Sequence, residues 1–193
     1  MDPIGAALEH YRSIAGYQAT IKSIRADGGE VIRYYYRQPG LVRMEFVKPH
    51  KGAVLIYKPD KRRVYLWPLG HGLLPPMALS PDNVLLQSPT GQTIDRSDVG
   101  ALLENVRTLQ RGGRTEVLGE EAAGSRRATV HVMVAGRPGA TLGRIHRYDL
   151  WLDRGNDFPI QVVSFDTQGR AIEKVMMEDV QLNPVLPEQL FHP

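Results

Sequence analysis

The feature that most constrains this chain is its alternation of apolar and polar residues in short runs, each closed by glycine or proline. Val42, Met44 and Phe46 alternate with Leu41, Arg43 and Glu45, and Tyr17, Ala19 and Ile21 alternate with Gln18, Thr20 and Lys22. A period of two places every second side chain on one face of a sheet, so such runs predict half-buried strands. The turns between them are short, and short turns join neighbouring strands in antiparallel order.

The pattern first divides into five strands. A short amphipathic helix is expected from Pro3 to Ser13, with Ile4, Leu8 and Tyr11 on one face and Gly16 beyond its end. The first strand follows around Tyr17 to Ile21. Asp27-Gly28-Gly29 then reads as a hairpin turn before a strand from Glu30 to Arg37. Pro39-Gly40 leads into the Val42, Met44, Phe46 strand, which Pro49 ends. Strands from Gly52 to Tyr57 and Arg63 to Trp67 flank Pro59-Asp60-Lys61.

From Pro68 to Ser97 the texture changes, with Leu73-Leu74-Pro75-Pro76, Ser80-Pro81-Asp82 as a helix opener, and no sustained alternation. Between Ser97 and Arg111, Val99, Leu102, Leu103, Val106 and Leu109 make one helical stripe, stopped by Gly112-Gly113. Five more strands are expected near Thr115 to Leu118, Arg126 to Val134, Ile145 to Leu152, Pro159 to Phe165 and Ala171 to Leu182. No sequence repeat of roughly 20–50 residues is present, which disfavours a solenoid or propeller.

Composition narrows the function classes. At 193 residues, with 42% hydrophobic and 23% charged side chains, the chain fits one globular domain spanning 1–193. It has no cysteine, which excludes disulfides and thiolate metal sites. The net charge of +3 is dispersed, with Lys61-Arg62-Arg63 the only short cluster, so no nucleic-acid partner is expected. No run approaches the roughly 18 apolar residues of a membrane helix, and no signal peptide pattern opens the chain. The protein is therefore expected to be cytosolic, or exported with its signal removed ahead of Met1.

Catalytic motifs are wanting. His10, His50, His71, His131, His146 and His192 show no metal-ligand spacing, and neither a nucleophile elbow nor a phosphate loop is present. No cofactor, no metal and no enzymatic activity are expected. Acidic pairs such as Asp149/Asp153 and Glu178/Asp179 are ordinary for the solvated face of a strand. The tyrosines and tryptophans are ordinary strand formers.

The apolar faces raise a different chemistry. Val42/Met44/Phe46, Val130/Val132/Val134 and Tyr148/Leu150/Leu152 each supply one apolar face, with two helices to cover them. A curved sheet with so little helix either packs tightly on those helices or leaves a cavity for an apolar ligand.

The order of the strand and turn motifs resembles that of the LolA/LolB-type lipoprotein carriers and their outer-membrane-lipoprotein-sorting relatives. The matching text is YYYRQPGLVRMEFVKPHKGAVLIYKPDKRRVYLW, then YDLWLDRGNDFPIQVVSFDTQGR, and finally Asn183-Pro184 with Leu190-Phe191-His192-Pro193. The resemblance spans nearly the whole chain. It implies a mainly β (α+β) fold, an incomplete antiparallel β-barrel of about 10–11 strands with helices lidding the concave face. It also implies a non-catalytic periplasmic carrier of lipid or lipoprotein acyl chains, serving the outer membrane. A membrane protein donor or acceptor, or a lipid anchor at an upstream lipobox, would fit the same group, as would a lipid-sensing or protein-interaction module. The expected cavity lining is Val42, Met44, Phe46, Leu102, Leu103, Val106, Val132 and Leu150. Gln38 and Arg43 are the expected lid positions. Carriers often place a basic residue where this chain has Gln38, and Arg43 matches the family's Arg-bearing strand. Alternation turns Arg43 away from the face of Val42 and Met44.

Overall fold

The structure, a computed structural model, describes residues 2–124 and 127–193. Among these residues, eleven strands form one open antiparallel sheet, with two α-helices. The first run of strands is β1 (Gly16–Arg25), β2 (Gly28–Arg37), β3 (Leu41–Lys48), β4 (Val54–Lys58), β5 (Arg63–Trp67) and β6 (Met77–Leu79). The second is β7 (Arg114–Ala123), β8 (Arg127–Ala135), β9 (Arg147–Asp153), β10 (Pro159–Phe165) and β11 (Ala171–Leu182). The strand expected from Arg126 is described from Arg127 onward, Arg126 itself lying outside the described residues.

The sheet order is β6-β5-β4-β3-β2-β1-β11-β10-β9-β8-β7. Within each run every strand pairs with its sequence neighbour, as short turns require, and the two runs join where the first strand meets the last. The Asn183 amide donates to the Gly16 carbonyl at 2.8 Å there, and the Ala15 amide donates to Asn183 Oδ1 at 2.7 Å. The edges are β6 and β7, so the sheet does not close into a barrel. β6 was not expected. Its three residues pair with β5 as Val64↔Leu79, Tyr65↔Ala78 and Leu66↔Met77 within the connection that lacks alternation.

The chain divides into two compact units. A helical unit comprises Met1–Ser13, Lys22–Gly29 and Val99–Glu178, and a strapped unit comprises Ile14–Ile21, Glu30–Asp98 and Asp179–Pro193.

In the helical unit, α1 (Pro3–Arg12) starts where Asp2 caps it: the Ile4 amide donates to the Asp2 carboxylate at 3.2 Å, and Pro3 needs no partner for an amide hydrogen. It buries Ile4, Ala7, Leu8 and Tyr11. α2 (Val99–Gln110) buries Val99, Ala101, Leu103, Val106 and Leu109. The helices pack on each other, and α2 packs on β8. Gln110 Nε2 donates to Asp2 Oδ1 at 2.9 Å, tying the end of α2 to the start of α1. Gly112, with φ of 75°, ends α2, and a Cβ on Gly113 would collide with the Ala135 and Leu109 carbonyl oxygens. Only glycine lets the helix turn into β7 so closely.

The strapped unit contains no α-helix among its described residues. Residues 68–98 cross it with two 3-10 turns, Val84–Leu86 and Ile94–Arg96, which bury Leu86 and Ile94. At the other end of the chain a 3-10 turn, Glu188–Phe191, buries Phe191.

Candidate functional site

Cross-strand register fixes which residues share a face, because directly opposed residues of an antiparallel pair point the same way. In the strapped unit, Tyr36, Val42, Tyr57 and Val64 form one row, and Tyr34, Met44, Leu55, Leu66 and Met77 form the next. Ile32 and Phe46 begin a third. Val42, Met44 and Phe46 therefore lie on one apolar face, as their alternation implies. Coverage of that face is graded. Val42, Tyr34, Tyr36, Tyr57 and Val64 are buried, as are Leu55 and Ile32 in the next two rows, but beside these last two Met44, Phe46 and Leu66 are half-buried, and Met77 is 44% exposed.

The buried end is pinned by tyrosines. Tyr17 stacks against Tyr34 and Tyr36 with ring centroids 5.7 and 5.3 Å apart. The Tyr34 hydroxyl meets Ser97 Oγ at 2.9 Å, and Ser97 in turn donates to the Ile94 carbonyl at 2.7 Å. That link fastens the strap to the sheet. Burial pushes the Tyr34 phenol well above its ordinary pKa, so it stays a neutral hydrogen-bonding group.

Arg43 points to the opposite face, where it is 8% exposed. Its Nε donates to Glu45 Oε1 at 2.8 Å and its Nη1 to the Leu190 carbonyl at 2.9 Å. The C-terminal turn thereby sits over β3 and β4, beside the buried cluster of Val54, Ile56 and Trp67. The Arg37 guanidinium lies 5.1 Å from the centre of the Phe191 ring. A cleft of about 470 Å³ opens at this end, bounded by Arg37, Pro39, Lys58, Pro59, Phe191 and His192. Gln38 is exposed at the β2–β3 turn, and its amide donates to the Ala15 carbonyl at 2.9 Å.

The other lining candidates belong to the helical unit. Val132 faces Leu150 across β8 and β9, and Leu150 faces Val162 on β10. Val132, Leu150, Leu103 and Val106 are all 0% exposed, whereas Leu102 is half-buried at the margin of the α2 stripe. The four form part of the packed interior between helices and sheet.

The reverse face of this unit carries a group that sequence spacing could not assemble. His131 stacks on Trp151 with centroids 4.1 Å apart and planes 17° from parallel. Its Nδ1 lies 3.2 Å from Glu121 Oε1, and its Nε2 lies 3.5 Å from Asp149 Oδ2. Trp151 Nε1 donates to Glu121 Oε2 at 2.9 Å, and this bond, with His131 beside it, holds the Glu121 carboxyl below its usual range. Arg147 approaches Asp149 at 3.1 Å and covers the Phe165 ring at 3.8 Å. The contacts of His131 Nε2, Arg147 Nε and Asp149 Oδ1 here are close approaches rather than hydrogen bonds, and these buried atoms have no hydrogen-bond partner. Among the described residues, no three His, Asp or Glu side chains converge as a metal site.

Comparison with known proteins places this architecture. The chain matches no protein-family model and no curated protein sequence. Among solved structures it is similar to an uncharacterized conserved protein from Thermus thermophilus, at 15% identity and a TM-score of 0.59, covering all of this chain and 94% of that one. It is also similar to the Pseudomonas aeruginosa MucA/MucB complex structure, at 16% identity and 0.58, covering 97% of this chain and 60% of the matched one. The likeness is one of fold. A putative outer membrane lipoprotein-sorting protein domain from Vibrio parahaemolyticus aligns over 98% of this chain and 95% of its own, at 13% identity and 0.44. No helix among the described residues is long and apolar enough to cross a membrane.

Proposed function

We propose that the protein is a non-catalytic periplasmic carrier that takes up the acyl chains of a lipid or lipoprotein for transfer toward the outer membrane. The observation that supports this reading is the graded coverage of the strapped unit's apolar face, where Met44, Phe46 and Leu66 are half-buried and no α-helix of that unit covers them among the described residues. Thioether and aromatic side chains in partial contact with solvent adapt to a flexible apolar guest. Each methylene moved from water onto such a face contributes about 0.8 kcal/mol, so about ten of them offset the ordering costs of association. No cofactor enters this reading. Leu102 at the edge of α2 is a further candidate contact, and Gln38, at an exposed turn, is a candidate gating position. Delivery to or from a membrane protein fits the same role.

A second reading is a protein-interaction or lipid-sensing module on the same fold. The MucA/MucB complex, whose fold is similar, is the observation in its favour.

Titration of a fluorescent fatty acid against the wild type and Met44→Asp tests the carrier reading, with circular dichroism confirming that both are folded. Saturable binding that the aspartate abolishes is expected, since an unpaired charge on a desolvated face costs several kcal/mol. A folded wild type that binds none of several acyl ligands overturns the reading and leaves the interaction module.

A further inference from the structure

One end of the strapped unit displays apolar side chains to solvent on a basic background. The β3–β4 turn and the β5–β6 connection adjoin there: a Cβ placed on Gly70 would lie 3.6 Å from the Gly52 carbonyl oxygen and 3.4 Å from Leu73 Cδ1. Leu69, Leu73 and Leu74 of the β5–β6 connection are 70%, 71% and 60% exposed, and Val47, at the end of β3 before the adjoining turn, is 42% exposed. Large apolar side chains scattered singly are normal on a protein surface, but three leucines exposed within one connection point to a docking surface.

The display is held in place. The ring centroids of Trp67 and His71 lie 4.5 Å apart, and Trp67 is buried in the sheet. His71 Nε2 sits 3.4 Å from the carbonyl oxygen of His192. Pro68, Pro75 and Pro76 remove three amide hydrogens from the connection, which lowers the cost of immersing its backbone in a medium that cannot hydrogen-bond it.

Charge selects the partner. The two loops carry Lys48, Lys51, His50 and His71, and the chain has no Asp or Glu from Phe46 to Pro59 or from Lys61 to Pro81. The lysines have no carboxylate partner in their own loops, and exposed leucines in one loop with exposed lysines in the adjoining one match the acyl boundary and headgroups of an anionic bilayer. We infer that the loop pair formed by residues 47–52 and 68–76 is a docking site for an anionic lipid membrane surface. This goes beyond uptake of an acyl chain, which concerns the sheet face rather than the loop tips.

Co-sedimentation with phosphatidylglycerol vesicles and with phosphatidylcholine vesicles tests it, using wild type, Leu73→Ser/Leu74→Ser and Lys48→Glu/Lys51→Glu. Wild type is expected to partition onto phosphatidylglycerol, less onto phosphatidylcholine, and less at high salt. The leucine pair should lower partitioning on the order of tenfold or more, and the lysine pair should erase the preference for the anionic lipid. Because these side chains are exposed, both variants should keep the wild-type circular dichroism spectrum and the wild-type response to the fluorescent fatty acid, whatever that response is. Wild type that stays in solution with both vesicles, or partitioning unchanged by the leucine pair, overturns the inference; the former outcome leaves a protein partner as the occupant of the tip.

Discussion

The helical and strapped units solve one problem in two ways. Each must cover an apolar sheet face, and the helical unit does so with α1 and α2, whose buried stripes leave Leu103, Val106, Val132 and Leu150 with no exposed surface. The strapped unit uses an irregular connection fastened at Tyr34 and Ser97, and along β3 burial fades from Val42 to Met44 and Phe46. A helix presents a side chain to the sheet at every turn, so it fills space regularly. A strap held by two 3-10 turns anchors at Leu86 and Ile94 and leaves the intervening face partly open.

Truncation at matched positions gives the largest test of this contrast. Leu103→Ala should destabilise the protein by about 2–5 kcal/mol, because a filled interior leaves a cavity behind. Met44→Ala should cost about 1 kcal/mol or less, as expected of a side chain already in contact with solvent. Urea unfolding of both variants provides the comparison, and equal losses would mean that the two faces are equally packed.

A smaller effect is expected at Arg43, where the strapped unit relies on a polar tie. Arg43→Met keeps much of the stem but removes the charge-assisted bond to Leu190 and leaves Glu45 facing the more distant Arg33, at 4.0 Å. The loss should be about 1–3 kcal/mol. Amide exchange should quicken in residues 188–191 while that of α2 is unchanged. Unaltered exchange in the C-terminal turn would show that Phe191 alone holds it.

The smallest effect belongs to the helix pair. The bond from Gln110, joined by the backbone amides of Gly5 and Ile4, holds the Asp2 carboxyl below its ordinary pKa against the opposing effect of burial, which outweighs either amide alone. A carboxyl whose folded pKa is depressed stabilises the fold above its unfolded value near 3.9, and that contribution is lost as pH falls through the lowered folded value. Asp2→Ala should therefore cost about 0.5–2 kcal/mol near neutrality. Chemical denaturation across acidic pH should show the gap between variant and wild type narrowing through that window, and a constant gap would assign the effect to packing.

Much of the fold was legible because alternation and turn chemistry are local. The β2–β3, β3–β4 and β4–β5 hairpins and the α2 stripe follow from residues close in sequence, and the structure keeps them with small shifts at their ends. The β1–β11 pairing was not legible, because nothing local to Gly16 specifies a partner near Asn183. β6 escaped notice because a three-residue strand is too short to show a period. The orientation of Arg43 followed from the alternation of β3, but its partner Leu190 did not, since a backbone carbonyl has no residue identity to read. The stack of His131 on Trp151 depends on the β8–β9 register, which a list of histidine spacings does not contain.

The position of β1 between β2 and β11 has a consequence for the order in which the molecule can be made. Two sets of hairpins form from local turns, but β1 gains its second neighbour only when the last strand arrives. A chain emerging from its N-terminus must therefore keep one side of β1 unpaired until residues 171–182 are available. Loop closure over that separation is slow compared with hairpin formation. Until it happens, one edge of the first strand stays open to wrong partners, a delay that favours a holding factor during synthesis.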